Sequence, residues 1–209
     1  MDADLERVGR WIRAASSVVY VVGAGLSVPS GVRACRSGSQ PIWAELVVEW
    51  GTREKLEADP AAWWKTFWLG AHGDLFRDDV MPNRGHRALA RLVARDPRDP
   101  VITQNVDGLH RRAGHPEGQL VEIHGRHDRF VCSAYARCPG GDGAVDRVDL
   151  SGLDAGVIPR CARCGAPMRP LVLLFDELYE SHPAFQARRA RRALDDASVL
   201  VSLPPATSS

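Results

Sequence analysis

The sequence predicts an α/β fold with a parallel sheet and helices on both faces. Val18–Val22 is a run of five apolar residues, four of them β-branched, which is typical of a strand buried on both faces. A small-residue loop, Gly23-Ala24-Gly25, follows this strand directly. Two more short apolar runs, 100–103 and 119–123, each end in polar side chains. Ligands of open α/β sheets bind beyond the carboxyl ends of the strands, so these three ends predict a binding site.

Length and composition describe an ordinary globular protein of one domain, either with a single full core or with a small insert. The chain has 209 residues, 44% of them hydrophobic and 25% charged, and a net charge of +1. This balance gives no reason to expect nucleic acid or an anionic membrane as the main partner. No apolar run approaches a membrane span, and the acidic N-terminus has no signal core. We therefore expect a cytoplasmic monomer, and the preference for Arg over Lys indicates a GC-rich, bacterial genome.

Helical patterns lie between the predicted strands. Residues 4–16 place apolar side chains on one face, and Asn83 is suited to cap a helix over 84–95. Residues 41–70 predict helices, with a start at Asp59-Pro60. They are rich in aromatic side chains: Trp43, Trp50, Trp63, Trp64, Phe67 and Trp68. These rings pack a helical core or line an apolar ligand channel.

The predicted strand ends carry the candidate chemistry. A Gly-x-Gly turn lets backbone N–H groups approach a phosphate, although it also occurs as a plain structural turn. Gln104-Asn105-Val106-Asp107 follows the second strand and suits a ligand with hydroxyls and a carboxamide; an Asx turn is the alternative. His124 follows the third strand, where it is placed to act as a general base or serves only a structural purpose.

The segment 130–170 predicts a metal site. It is poor in large apolar side chains and cannot build its own core. Its four cysteines form two pairs, which suit a closed tetrahedral zinc site; disulfides and free thiols are the alternatives. The predicted zinc ligands are Cys132, Cys138, Cys161 and Cys164.

The C-terminal part is predicted to complete the sheet. Residues 169–177 return the chain to the sheet, and a helix begins at Pro183 and runs to about 195. Its arginines are expected to form a solvated face, with a binding patch as the alternative, and residues 197–203 form one more strand.

Five motifs in register resemble the sirtuin family of NAD-dependent protein deacylases. The resemblance extends from about residue 7 to 201. It is carried by Gly23-Ala24-Gly25-Leu26-Ser27 with Ser30-Gly31-Val32 and Arg36, by Thr103-Gln104-Asn105-Val106-Asp107-Gly108-Leu109-His110, by Glu122-Ile123-His124-Gly125, by the two cysteine pairs, and by Arg169-Pro170 with Phe175-Asp176-Glu177.

The resemblance implies a single sirtuin-type catalytic domain over 1–209, with a Rossmann-like sheet. Residues 37–82 would form the helical part of a small module and 128–169 its zinc-binding insert, with NAD in the cleft between module and sheet. The implied NAD-binding residues are Gly23, Ala24, Gly25, Leu26, Ser27, Val32, Arg36, Gln104, Asn105, Val106 and Asp107.

The implied reaction moves an acyl group from lysine to ADP-ribose. The acyl-lysine carbonyl oxygen attacks the ribose carbon as nicotinamide departs, and His124 then deprotonates a ribose hydroxyl. In this comparison Gly23, Ala24 and Gly25 cradle the pyrophosphate, while Gln104, Asn105 and Asp107 hold the ribose and carboxamide. An acylated lysine peptide or protein is the implied partner, and it adds as a strand along Val172–Glu177.

Two departures from the family pattern weaken the expectation of activity. Cys35 stands where the family has a Phe that shields the nicotinamide. Pro204-Pro205 stands where a Gly-Thr-Ser loop and further elements are expected, so we expect a C-terminally truncated sheet with an exposed edge and weakened NAD binding. Mono-ADP-ribosyl transfer, or an inactive truncated zinc protein, remain alternatives to deacylation.

Overall fold

The fold contains two sheets of different size. The computed structural model describes residues 3–33, 41–143, 145 and 147–203, without the side chains of residues 41–45 and 154. The strands are β1 Val18–Val22, β2 Val101–Thr103, β3 Leu120–Glu122, β4 Gly125–Cys132, β5 Met168–Val172 and β6 Val199–Leu203. A parallel sheet has the order β3-β2-β1-β6, and β4 pairs with β5 in a separate antiparallel sheet.

The predicted helix starts at Asp59 and Asn83 are confirmed. Asp59 Oδ1 accepts a hydrogen bond from Ala62 N at 2.9 Å, and Asn83 Oδ1 accepts one from Gly85 N at 2.8 Å. The helices are α1 Ala3–Ala14, α2 Pro41–Trp50, α3 Arg53–Ala58, α4 Pro60–Ala62, α5 Arg84–Val93, α6 Leu109–Arg112 and α7 Ala187–Asp195; α4 continues as a π-helix, Trp63–Ala71. Across the described ranges, every helix is too short or too polar to cross a bilayer.

Helices cover both faces of the parallel sheet, as predicted. Alternate residues of β1 point to opposite faces. Tyr20 packs in one cluster with Leu89 of α5, and Val19 packs in another with Ala190 of α7. The sheet is therefore the middle layer of a three-layer α/β fold.

The predicted first helix is present, but its apolar face is largely exposed. Leu5 is 66% exposed and Trp11 is 54% exposed, whereas Ile12 and Ala15 pack against the core. The reason is that this helix packs against the sheet through its C-terminal end, and its first two turns have no apolar layer beneath them among the described residues.

The segment 169–177 does not return to the parallel sheet. β5 pairs with β4, with Gly125 opposite Val172 and Cys132 opposite Met168. The cause is the turn at Gly125, where a φ of +82° redirects the chain away from the sheet immediately after β3. The sequence pattern shows a buried strand here, but it does not show its partner.

The helix predicted from Pro183 begins later. Pro183–Phe185 is a short 3₁₀ turn, and Gln186 adopts a left-handed φ of 54° before α7 begins. Nor is the arginine face wholly solvated: Arg189 donates to the carbonyls of Leu120 and Gly118 and thereby ties α7 to β3.

The aromatic helix and the cysteine segment share one hydrophobic core. Trp63 and Trp64 are fully buried, and Trp64 Nε1 donates to the carbonyl of Met168 at 3.0 Å. Phe130 and Ile158 belong to the same cluster. Core packing therefore explains the buried tryptophans, while the Trp43 side chain lies outside the described residues.

Gly125→Ala should destabilise the protein by about 3 kcal/mol or more. An added Cβ would be strained at φ +82° and would collide with the carbonyl oxygen of Leu171. Urea unfolding followed by circular dichroism measures the loss. Gly118→Ala is the matched control, since nothing lies within 4 Å of its added Cβ. Equal stability of the two variants would contradict the steric explanation.

Candidate active site and metal centre

Three parallel strands end side by side and bring the predicted site residues together. Val22 lies opposite Thr103, and Thr103 lies opposite Glu122. The ladder continues past the strands, since Gln104 N donates to Val22 O at 2.9 Å and Ile123 N donates to Thr103 O at 3.1 Å. The loops at Gly23, Gln104 and His124 therefore share one edge of the sheet.

The loop after β1 is a tight pair of turns. Ala24–Leu26 and Val28–Ser30 form successive 3₁₀ turns, and Gly31 follows with a left-handed φ of 87°. Val32 is half-buried, and its N–H donates to Ser27 O at 3.4 Å. Arg36 and Cys35, which sequence reasoning placed at the end of this loop, lie outside the described residues, as does Pro204-Pro205.

Ser27, Asn105 and Asp107 brace this loop against the end of β2. The Ser27 hydroxyl donates to Asp107 Oδ2 at 2.6 Å, and Asn105 Nδ2 donates to both Ser27 Oγ and Gly23 O at 3.1 Å. The other oxygen of Asp107 accepts from Leu109 N at 2.9 Å. These side chains hold the loop from inside; their direct contact with a ligand stays a prediction.

Gln104 and Val106 occupy different surroundings. The Gln104 side chain is exposed at the shared edge, where it can reach a ligand. Val106 packs against the core shared by the aromatic helix and the cysteine segment, and its carbonyl accepts from His127 N at 3.0 Å.

His124 holds one defined tautomer. Its Nδ1 lies 2.9 Å from the carbonyl oxygen of Gln104, which can only accept, so Nδ1 carries the proton. In the neutral form of the imidazole, Nε2 is consequently the basic nitrogen. Nε2 lies 3.2 Å from the hydroxyl of Tyr179, a residue that sequence reasoning missed because it is distant in the chain.

The segment after β5 is fixed beside His124. Leu173 N donates to His124 O and Phe175 N donates to Gly51 O, both at 2.9 Å. Glu177 accepts from Leu174 N and pairs with Arg169 at 2.5 Å, with both charged side chains almost fully buried. Since these three amides already donate, a peptide strand placed along Val172–Glu177 would have to use carbonyl oxygens or displace a donor.

A cluster of three buried histidines supports the loop from behind. Asn83 N donates to His86 Nδ1, which leaves His86 Nε2 to donate to Ser27 Oγ, each at 3.4 Å. His115 Nδ1 donates to the carbonyl of His110 at 3.0 Å, so His115 Nε2 accepts from His110 Nδ1 at 3.4 Å. Sequence reasoning found no role for these histidines; the one signal was His86 at the third helical position after the Asn83 cap.

Burial keeps these histidines neutral. Burial lowers the pKa of His86 and of His115, and it lowers the pKa of His110 to about 3, with a smaller contribution from the two neighbouring histidines. A neutral cluster can support the Ser27 and Asp107 hydrogen bonds without adding charge beneath the loop.

The four predicted zinc ligands converge. Their sulfur atoms all lie within 4.8 Å of one another, with Cys132 Sγ 3.4 Å from Cys164 Sγ and Cys138 Sγ 3.7 Å from Cys161 Sγ. Tetrahedral zinc with bonds of about 2.3 Å requires sulfurs about 3.8 Å apart, so the cluster fits this metal. Four closed thiolate positions make such a site structural.

The surroundings of the cysteines also favour a bound cation. Backbone hydrogen bonds, first from Arg163 and then from Cys164, lower the pKa of Cys161 to about 6. Burial instead raises the pKa of Cys132 to about 12, since a lone thiolate there would be poorly solvated. Deprotonation of the whole cluster therefore needs a positive ion at its centre.

The fold and site define an α/β protein with polar side chains beyond the carboxyl ends of its parallel strands and a cluster of four cysteines that can hold a metal ion. A model of the Sir2 family matches residues 23–204, and the chain belongs to the Sir2 family.

Similar proteins come from all domains of life. An NAD-dependent deacetylase, sir2E, from Dictyostelium discoideum is 32% identical over 95% of this chain and 61% of its own length. An NAD-dependent protein deacetylase from Haloarcula marismortui is 35% identical over 91% of this chain and 71% of its own. NAD-dependent protein deacylase 2 from Pseudomonas aeruginosa is 33% identical over 93% and 74%, respectively.

Solved structures show the same fold. A Sir2 homologue in complex with NAD has a TM-score of 0.75 and 27% identity, covering 97% of this chain and 72% of that one. A Sir2 structure with a p53 peptide and NAD⁺ has a TM-score of 0.72 and 25% identity, covering 97% and 75%. The chain thus spans about three fifths to three quarters of the length of these proteins.

Cys161→Ser should lower the zinc content from about one ion per chain and destabilise the small module, because three thiolates leave the tetrahedral site open. Mass spectrometry of the metal content and thermal unfolding measure both effects. Cys35→Ser changes the remaining cysteine of the chain and is the control. Undiminished zinc in Cys161→Ser would contradict the assignment.

Acid should destabilise the protein through the histidine cluster. The unfolded chain binds protons on His110 below pH 6.5, whereas the folded chain does not until about pH 3, so stability falls as the pH drops through this window. His110 alone accounts for about 2 kcal/mol between pH 7 and pH 5.

Urea unfolding at these two pH values tests this account, with His110→Phe expected to weaken the pH dependence. His127→Phe removes a histidine outside the cluster and should retain it. The same pH dependence in wild type and His110→Phe would refute the role of His110.

Proposed function

We propose that this protein is an NAD-dependent protein-lysine deacylase that transfers an acyl group from lysine to ADP-ribose and releases nicotinamide. The observation that carries the proposal is the place of His124 at the edge shared by the Gly23 loop and Gln104, where its Nδ1–H bond to Gln104 O leaves Nε2 as the basic atom of the neutral ring. The names of similar proteins support the same activity.

The residues at this edge fit NAD. Backbone N–H groups of the Gly23-Ala24-Gly25 loop suit the pyrophosphate, and the exposed Gln104 amide suits the ribose. NAD supplies an activated ribose carbon with nicotinamide as its leaving group. His124 can take a hydroxyl proton at Nε2 while its Nδ1–H bond to Gln104 O fixes the ring. Ser27, Asn105 and Asp107 keep the loop in place throughout.

An acylated lysine peptide is the proposed substrate, since the peptide complex of a Sir2 structure is similar to this chain. The proposed module comprises residues 37–82 and 128–169, supported by their shared core. Four thiols gathered as metal ligands favour a reducing compartment, and we propose a monomer in a bacterial cytoplasm.

Incubation of the purified chain with NAD and an acetyl-lysine peptide should release nicotinamide and deacetylated peptide in equal amounts. His124→Ala should lower the rate by about 10²- to 10⁴-fold, the usual contribution of a general base. His127→Ala is the matched control three residues away. Chromatography and mass spectrometry of peptide and nicotinamide provide the readout.

The same assay separates the alternatives. Nicotinamide release no greater than that of His124→Ala would refute an enzymatic role for this 209-residue chain. Labelled ADP-ribose retained on protein, without deacetylated peptide, would instead identify an ADP-ribosyltransferase.

A further inference from the structure

Tyr179 lies directly against the basic atom of the site. Its hydroxyl is 3.2 Å from His124 Nε2, and the two rings stack with centroids 5.8 Å apart and planes 23° apart. The family motifs that point to His124 do not include this tyrosine. Its contact with the base therefore comes from the structure alone.

The direction of the hydrogen bond follows from the tautomer of His124. Because Nδ1–H donates to Gln104 O, Nε2 of the neutral imidazole carries only a lone pair. The Tyr179 hydroxyl is then the donor to that form of His124. This hydrogen bond occupies the lone pair of His124 Nε2, which a general base would need in order to accept a substrate proton.

Tyr179 lies on a short stretch between two anchors. On one side, Glu177 is fixed by its buried ion pair with Arg169. On the other side, the carbonyl of Ser181 accepts a hydrogen bond from Tyr135 Oη at 2.9 Å. Tyr179 itself is 43% exposed, so its side chain can turn into solvent while the anchors stay in place.

We propose that Tyr179 is a positioning residue that caps His124 Nε2 before substrate binds and yields that atom to a ribose hydroxyl of NAD. This inference rests on the proposed function, because it takes NAD as the competitor. The stacked ring and the hydroxyl of Tyr179 fix the orientation of the imidazole, so that both Nδ1 and Nε2 have a hydrogen-bond partner before NAD binds. Binding of NAD must then exchange one hydrogen bond to Nε2 for another.

Tyr179→Phe provides a sharp test, since it retains the stacked ring and removes only the hydroxyl. A neutral hydrogen bond is worth about 1 kcal/mol, so loss of the competing donor should lower the Kd for NAD by about 3- to 5-fold. The kcat for nicotinamide release should stay within about twofold, because the hydroxyl has already left Nε2 in the occupied site.

Tyr20→Phe is the matched control, because the Tyr20 hydroxyl is buried in the core and has no hydrogen-bond partner among the described residues. It should leave Kd and kcat unchanged. Calorimetry with NAD measures Kd without turnover, and nuclear Overhauser effects between the Tyr179 and His124 ring protons report the contact in the ligand-free chain.

The outcomes separate the two proposals. An unchanged or higher Kd in Tyr179→Phe, a tenfold fall in kcat, or the absence of the ring contact would each overturn the capping role. A chain that binds NAD more tightly as Tyr179→Phe but releases no nicotinamide would support the cap while refuting the deacylase activity.

Discussion

The parallel register of β1, β2 and β3 is the constraint on which the site depends. Each loop leaves the sheet one residue beyond a paired position, so Gly23, Gln104 and Ile123 are fixed relative to one another by backbone hydrogen bonds. A shift of one residue in any strand would reverse its faces and bury its polar end. The apolar strands therefore determine the site geometry as well as the core.

The loop at this edge is held by a saturated polar network. The Ser27 hydroxyl donates to Asp107 and accepts from Asn105 and His86, which uses its full hydrogen-bonding capacity. Such a network is costly if one member is lost, because each remaining buried group then lacks a partner. Ser27, Asn105 and Asp107, which the sequence suggests as ligand contacts, thus also keep the Gly23 loop in one conformation.

Sequence reasoning located the four strands of the parallel sheet, the helix caps and the cysteine pairs, because each depends on local pattern or spacing, but it missed β4. It did not place β5, whose partner is decided by the turn at Gly125, or the exposed face of α1, which depends on what lies beneath the helix. The histidine cluster and Tyr179 were missed for a related reason. Their contacts join His86 to Ser27 and Tyr179 to His124, and neither spacing has a periodic signal.

The buried ion pair of Arg169 and Glu177 connects the cysteine segment to His124. Arg169 lies on β5, one residue after Met168, which packs in the same core as the buried tryptophans and the buried Cys132 and Cys138. Glu177 fixes the backbone that carries Tyr179 to His124. Removal of one partner would leave an uncompensated buried charge, a loss of about 3–5 kcal/mol. A metal ion held by the four cysteines would therefore also order the surroundings of His124 Nε2, through this shared core and the ion pair.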